Sequence, residues 1–284
     1  MNFTTFNQYS ERMKKIFTSI SICLFLIACN KQSITETKKA ENKERQSTSV
    51  QAIANGNCPT PVVCGGTVIT TVATVNVYKH NGSNVIMFKA KMYIDADGSP
   101  RAYGPNNSGL DYTANAGSPG NWWGIATNGS GTPYIQHAGE PYPGMYVSTT
   151  SLLSSSCVDS MPCRYVDSEN IPFFVLPSAV KTAGGITIGD VGFVYNTVTG
   201  KGCYAIYADA GPSGSIGEGS IYLANQIGIN SNARTGGTSS LIIDYIIFPG
   251  SGQGQGIIPT VTKINQVGAA CMKKMGGVDL TKCL

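Results

Sequence analysis

Three observations predict a mostly β fold with a few short helices and long loops. The 284 residues include 34 Gly, 14 Tyr and 9 Phe, and only 13% are charged, which is typical of turn-rich β structure rather than of a helical bundle. Short β-prone runs alternate with Gly, Asn, Pro and Ser from residue 66 onward. No sustained helical periodicity is present. The number of runs favours a β-barrel or a sandwich.

Seven runs rich in β-branched and aromatic residues are predicted to form strands. In chain order they are Thr67 to Tyr78, Val85 to Ile94, Tyr142 to Thr149, Phe173 to Val175, Ile186 to Tyr195, Tyr204 to Tyr207 and Leu241 to Phe248. One short helix is expected from near Gly219 through Ile227, and another from Lys263 to Met275. The stretch 101–142 is longer than an ordinary connection and predicts a functional loop region.

The N-terminal segments predict export and a lipid anchor. Basic residues precede a mainly apolar stretch from Ile16 to Ile27, which is too short for an ordinary membrane span and is typical of a signal peptide. It ends in Leu26-Ile27-Ala28-Cys29, which resembles a bacterial lipobox. We expect a signal peptide over 1–28, lipidated Cys29 with a disordered tether over 29–57, and one globular domain over 58–284. The alternative is ordinary cleavage with Cys29 unmodified.

The charge distribution argues against nucleic-acid binding. Residues 1–45 hold eight Lys or Arg and four Glu, so of the totals of 20 basic and 16 acidic residues, twelve of each remain in the rest of the chain. A formally neutral domain lacks the basic patch that nucleic-acid binding requires. The expected location is the bacterial cell envelope, periplasmic or at the cell surface. We expect a monomer.

Cysteine usage predicts disulfides rather than a metal site. Nine cysteines, less Cys23 in the signal peptide and Cys29 at the anchor, leave seven for the rest of the chain. A zinc site is the alternative, but there is no C-x-x-C and only two histidines are present. We predict an odd thiol at Cys203 and three local pairs, which are Cys58 with Cys64, Cys157 with Cys163, and Cys271 with Cys283.

Several other chemistries are disfavoured, and no cofactor or metal is predicted. The chain has no G-x-S-x-G elbow, and the Gly-rich run 250–256 lacks the Gly-Lys-Ser/Thr ending of a phosphate-binding loop. Residues 95–98 begin like a calcium loop, but Pro100 and Asn106 stand where that loop needs Gly and Glu.

Two carboxylates on one short segment, Asp209 and Glu218, are the strongest catalytic candidates. Glycoside hydrolysis needs a protonated carboxyl to protonate the leaving oxygen and an ionised carboxylate to activate water. A strand that ends at Asp209, a Gly/Pro loop and a second element that begins at Glu218 could place the pair across a groove. The alternatives are solvated loop carboxylates, or a Glu at a helix start.

The segments around this pair resemble family 75 of the glycoside hydrolases, the fungal-type chitosanases. The matching segments are Ile94 to Tyr103, Tyr146 to Leu152, Ile171 to Pro177, Tyr204 to Pro212, Ile216 to Ala224 and Phe248 to Ser251. They occur in the family's order and lie within residues 85–251.

The resemblance implies endo-hydrolysis of β-1,4-linked glucosamine polymers by an inverting mechanism, within a double-psi type of β-barrel. It places the family's essential Asp on Asp209 and its essential Glu on Glu218, which we assign as general base and general acid. The Gly/Pro/Ser loop between them departs from the longer, more acidic loop of fungal members. A helix start at Glu218 would favour its ionised form, so burial would have to raise its pKa.

A cationic sugar polymer suggests carboxylate and aromatic subsites. Candidate carboxylates are Asp95, Asp97 and Asp111, whose alternative role is turn formation. Candidate stacking platforms are Tyr103, Trp122, Trp123 and Tyr134, with one of the adjacent Trp residues expected in the core. The alternative function is a non-catalytic lipoprotein that binds a cell-wall or amino-sugar polymer. A purely structural surface lipoprotein is a third possibility.

Overall fold

The computed structural model describes residues 65–275 and 280–284. The predicted signal peptide (1–28), Cys29, the tether (29–57) and the predicted pair Cys58 and Cys64 lie outside the described residues. Within the described ranges, no helix combines the length and apolarity needed to cross a bilayer.

Ten strands and three short helices make up the regular structure of the described residues. The strands are β1 Gly66–Val72, β2 Val75–His80, β3 Ile86–Asp95, β4 Gly117–Ser118, β5 Asn121–Trp122, β6 Phe173–Pro177, β7 Val191–Asn196, β8 Lys201–Gly211, β9 Glu218–Ser220 and β10 Thr238–Ile247. The helices are α1 Ser178–Gly184, α2 Ile221–Ile227 and α3 Val261–Lys274.

Six of the strands close into a barrel. Their order is β3-β10-β7-β8-β6-β9, and β9 pairs back onto β3, while the β1-β2 hairpin extends the sheet beyond β3. The pairings β3–β9 and β6–β8 are parallel. Closure leaves no edge within the six-stranded ring, so its backbone hydrogen bonds are made internally. The predicted single-domain β-barrel is confirmed, and the double-psi topology stays a prediction from the resemblance.

The barrel interior is filled by large apolar side chains. Phe88 on β3 and Tyr245 on β10 are fully buried and stack with their ring centroids 4.7 Å apart. Burying each such side chain contributes roughly 1.5–3 kcal/mol. Helix α3 packs closely on the outside of β8, because a Cβ at Gly268 would lie only 2.2 Å from the Tyr204 ring. The core therefore fixes the strands that carry the candidate site.

The predicted elements mostly form, with three corrections. The run predicted as one strand from Thr67 to Tyr78 is the β1-β2 hairpin, because Ala73 has φ 51° and turns the chain. The predicted strand at Tyr142 to Thr149 makes isolated bridges, such as Ile135 to Tyr146, rather than a regular strand. Helix α1 was not predicted, because its apolar residues are too few to give a clear helical period.

The long loop region 101–142 has its own small core. Ala102, Tyr103 and Ala116 are buried together with Ala96. The Arg234 guanidinium donates to the backbone carbonyls of Asn107 and Gly109, each at 2.6 Å. These contacts hold the loop region against the segment after α2, where it forms one wall of the candidate site.

The cysteine predictions are partly confirmed. Cys157 and Cys163 form a disulfide with their Cα atoms 5.9 Å apart, and Cys203 is a free thiol whose pKa is raised by burial to about 11. The predicted pair Cys271 with Cys283 is wrong, because Cys271 is a free thiol and Cys283 is disulfide-bonded to a different cysteine. Cys271, on α3, instead packs against the buried cluster that includes Met87, Ile246 and Phe248, so closeness in sequence did not decide the pairing.

Candidate active site

A single cleft of about 960 Å³ collects most of the predicted site residues. It lies where β3, β9, β6 and β8 adjoin, and its far wall comes from the loop region 101–142 and the segment after α2. Its lining includes Tyr93, Asp95, Asp97, Tyr103, Asp111, Asn115, Trp123, Val175, Asp209, Glu218 and Arg234. Five carboxyl groups therefore line one cavity whose volume is within the range of ligand-binding clefts.

Strand register brings Asp209 and Glu218 onto one face. Val175 on β6 lies opposite Asp209 on β8, and Phe174 lies opposite Gly219 on β9. Because β6 and β9 are antiparallel, the next step along β6 brings Val175 beside Glu218. The two acids thus flank Val175 in one row across three strands. Two strand spacings separate their backbones by about 9.6 Å.

A β-bulge in β8 turns Asp209 toward this row. Phe174 pairs with Tyr207, but the next residue, Val175, pairs with Asp209, so Ala208 is the extra residue on β8. The Tyr207 ring points into the barrel, where it stacks on Phe174 with centroids 6.2 Å apart. Strict alternation would send Asp209 to the same side as Tyr207, and the bulge reverses this. The bulge is therefore what presents Asp209 to the cleft.

Asp209 belongs to a cluster with Asp95 and Asp97, whose carboxylate oxygens lie within 4.8 Å of one another. Asp95 is only 7% exposed and accepts a hydrogen bond from the Asp97 backbone N–H at 2.7 Å. Asp97 accepts from the Tyr103 hydroxyl at 2.6 Å. Among the described residues, this is the group whose oxygens could share a divalent cation. The sequence predicts no metal.

Burial and crowding disfavour negative charge in this cluster. Desolvation raises the pKa of Asp95 well above its usual value, and the charge of Asp97 adds to the effect. Desolvation and then the charge of Asp209 raise the pKa of Asp97, which the Tyr103 hydrogen bond opposes. Burial also raises the pKa of Tyr103, so this phenol stays a hydrogen-bond donor. The cluster therefore holds protons more tightly than isolated carboxylates do.

Burial raises the pKa of both catalytic candidates. Desolvation raises the pKa of Asp209 to about 6, against hydrogen bonds from Ser151 and Ala210 that favour its ionised form. Desolvation and the charge of Asp209 raise the pKa of Glu218 to about 7, against the opposing charge of Lys91. Because the two carboxyl groups interact, the pair releases its two protons in separate steps within this pH range.

The alternative in which Glu218 stands at a helix start is wrong. Glu218 begins β9 and pairs with Tyr93 on β3, whereas α2 begins after Ser220, whose hydroxyl caps the Leu223 N–H. Because β9 pairs with two neighbouring strands, the chain stays extended until Ser220. The side chain is therefore removed from the free N–H groups of a helix start, and burial sets its pKa.

Of the four predicted stacking platforms, two line the cleft and two lie elsewhere, and only one of the two in the cleft is exposed. Trp123 lines the cleft, is 63% exposed and donates its indole N–H to the Asn115 carbonyl. Tyr103 lines the cleft but is buried, with its hydroxyl committed to Asp97. Trp122 and Tyr134 do not line it. Both pack into small cores of the loop region, because burying a large ring is favourable there.

Sequence reasoning missed Tyr93 and Arg234. Tyr93 lines the cleft next to Glu218, is 49% exposed, and has the Lys91 ammonium 3.6 Å from its ring centroid. Alternation along β3 was an available signal, since Met92 and Ile94 point into the barrel. Arg234 comes from an irregular loop, and only the fold brings it to the cleft. Asp111, predicted as a subsite, is in the cleft with its carboxylate bound by the Asn115 side chain.

The Gly-rich run 250–256 has a structural role. Buried Asp190 accepts from the backbone N–H groups of Gly250 at 3.1 Å and Gly252 at 2.8 Å. Ser251 accepts from the Val191 N–H at 2.8 Å. A side chain at Gly252 would come within 2.4 Å of the Gly189 backbone. The glycines therefore serve close backbone packing next to β7.

No model of a known protein family matches the chain, and no curated protein matches its sequence significantly. The resemblance to family 75 of the glycoside hydrolases therefore stays a prediction.

Proposed function

We propose that this protein is an endo-acting, inverting glycoside hydrolase that cleaves β-1,4 glucosamine linkages of chitosan. Glu218 is the general acid and Asp209 is the general base. The observation that carries the proposal is the row Asp209-Val175-Glu218, which directs two buried carboxyl groups into one cleft.

The spacing of the pair suits inversion. Inverting enzymes keep their two carboxyl groups about 6.5–9.5 Å apart to admit both the sugar and a water. The Asp209 and Glu218 backbones are about 9.6 Å apart and their side chains share one face, which is compatible with carboxyl groups at such a separation. Glu218 would donate its proton to the glycosidic oxygen as the bond to the anomeric carbon breaks. Asp209 would take a proton from the water that attacks that carbon from the opposite side.

The protonation states suit these roles over a narrow pH range. The base must be ionised, which requires a pH above the pKa of about 6 for Asp209. The acid must be protonated, which requires a pH below the pKa of about 7 for Glu218. We therefore expect a bell-shaped dependence of kcat/KM on pH, with its maximum between these values.

The cleft chemistry favours a polymer with cationic amines. Asp95, Asp97 and Asp111 add carboxyl groups to the cleft lining, and a bound ammonium group would favour their ionised form. Trp123 and Tyr93 offer exposed aromatic faces to sugar C–H groups.

Release of reducing ends tests the proposal. The purified protein is incubated with chitosans of different acetylation and with peptidoglycan, and soluble fragments are measured. We expect release from chitosan, and a loss of at least a thousandfold in kcat for Glu218→Gln, since the carboxamide supplies no acidic proton. Glu140→Gln, in an exposed loop whose side chain accepts from the His137 N–H, is the matched control and should keep full activity.

Two outcomes would contradict the proposal. If the wild-type protein pulls down chitosan but releases no fragments, the protein is a binding lipoprotein. If Glu218→Gln keeps its activity, the acid is another residue.

We also propose that Cys29 anchors the exported protein to the cell envelope through lipid. The support is the lipobox-like sequence Leu26-Ile27-Ala28-Cys29 after an apolar stretch. Labelled palmitate should enter the wild-type protein in bacterial cells and not the Cys29→Ser variant. Equal labelling of both would contradict the assignment.

A further inference from the structure

Every hydrogen bond to the Asp209 side chain from the described residues ends on one oxygen, Oδ1. The Ser151 backbone N–H donates to Oδ1 at 3.0 Å, and the Ser151 hydroxyl donates at 2.6 Å. The Ala210 N–H is shared between Oδ1 at 2.7 Å and the Ser151 Oγ at 3.1 Å. Oδ1 is thus saturated, and Oδ2 is left to face the cleft.

The segment around Ser151 is itself held in place. The Gln255 side chain donates to the Ser151 carbonyl at 2.7 Å and accepts from the Leu153 N–H at 3.1 Å. The Leu152 N–H donates to the Ala208 carbonyl, at the bulge residue of β8, at 2.8 Å. The hydroxyl that reaches Asp209 is therefore fixed from both sides.

We propose that Ser151 is a positioning residue for the proposed hydrolysis: its hydroxyl fixes the Asp209 carboxylate so that Oδ2 is the oxygen presented to the attacking water. This inference rests on the proposed function. A carboxylate with three donors on one oxygen has little freedom to rotate, and a base must be held within a narrow geometry to act.

The same contact adjusts the proton affinity of Asp209. Hydrogen bonds to an ionised carboxylate stabilise the charged form, and the Ser151 hydroxyl opposes the increase that burial imposes on the Asp209 pKa. Without the hydroxyl, the pKa of Asp209 would rise toward that of Glu218. The difference between base and acid would then diminish.

Ser151→Ala tests the inference by a measurement that does not depend on activity. The pKa of Asp209 is followed by carbon-13 NMR of labelled carboxyl groups, with the Asp209 signal assigned from Asp209→Asn. We expect the pKa to rise by about one unit in Ser151→Ala. In the pH dependence of kcat/KM, the acidic limb should shift to higher pH by the same amount as the Asp209 pKa. We expect kcat to fall roughly tenfold with little change in KM.

Three further variants separate positioning from a general structural effect. Ser151→Thr keeps the hydroxyl and should restore both the pKa and kcat. Gln255→Ala loosens the segment that carries Ser151 and should change both in the same direction by less. Ser155→Ala, whose hydroxyl bonds the Gly256 carbonyl at 3.1 Å, is the matched control and should change neither.

An unchanged Asp209 pKa in Ser151→Ala would overturn the inference while leaving the proposed hydrolysis to the Glu218→Gln test. An equal loss of activity in Ser151→Thr and Ser151→Ala would also overturn it. A changed pKa in a protein that cleaves no chitosan would instead refute the proposed function and, with it, the role of Ser151 in that reaction.

Discussion

Replacing Lys91 with methionine is expected to move the alkaline limb of the pH-activity profile upward. The Lys91 ammonium leans over the ring of Tyr93, which pairs with Glu218 in the parallel register of β3 and β9. Its positive charge favours the ionised form of Glu218 and opposes the increase in its pKa. Removing the charge therefore raises the pKa of the acid, which stays protonated to higher pH.

The size of the shift follows from the strand geometry. One strand spacing and a two-residue rise place the Lys91 and Glu218 backbones about 8 Å apart. Two unit charges at that separation interact by about 0.5 kcal/mol in water and about 2 kcal/mol at an effective dielectric constant of 20. Lys91 is partly exposed and screened by salt, so we expect an interaction energy in the lower half of that range. This corresponds to an increase of about half a unit in the Glu218 pKa.

The assay is kcat/KM for a soluble glucosamine oligomer from pH 4 to 9, at low and high salt. Methionine keeps the apolar stem over Tyr93, so the acid limb set by Asp209 should stay in place. Lys79→Met, at an exposed position of β2, is the control and should leave both limbs of the profile unchanged. High salt should move the wild-type alkaline limb toward that of Lys91→Met. An alkaline limb that stays fixed or moves down would refute the assignment of Glu218 as the acid.

Three further predictions concern stability and binding. Folding raises the pKa of Asp97, so its contribution to the free energy of unfolding is fully present below the pKa of the unfolded state and is lost as pH rises through the pKa of the folded state. Asp97→Asn should therefore raise Tm by about 3 °C at pH 8 and have less effect at pH 4. An equal change in Tm at both pH values would contradict a buried charge at this position. Trp123→Ala should raise KM for chitosan roughly three- to tenfold and leave Tm unchanged. Trp122→Ala should lower Tm, measured by calorimetry, and leave KM unchanged. The reverse result would show that Trp122 is the residue on which the sugar stacks. Opening the disulfide in Cys157→Ser/Cys163→Ser should cost about 2 kcal/mol in urea unfolding while kcat stays the same, and no change would show that the bond contributes nothing.

The acidic pair could be found from the sequence because so few carboxylates lie in the β-rich part. Asp209 and Glu218 stand on either side of a Gly/Pro loop, and this spacing together with the resemblance to family 75 predicted a shared groove. The aromatic residues that line the cleft were predicted less accurately, because the exposure of a side chain depends on tertiary packing. Trp122 and Trp123 are adjacent and chemically alike, yet only the second lies in the cleft.

The disulfide predictions show a similar limit. Cys157 and Cys163 close a short turn, and local spacing predicted their bond. The same rule failed for Cys271, which is a free thiol although it packs on the same buried cluster as Cys283.

The sequence by itself determined the β class of the fold, most of its strands and the two acidic positions, because alternation and turn residues are local properties of the chain. The tertiary structure decided which face each acid occupies. A single extra residue at Ala208 turns Asp209 from the barrel interior to the cleft, and pairing on both sides keeps Glu218 in a strand. Such register choices depend on neighbouring strands that are distant in sequence, and local patterns do not specify them.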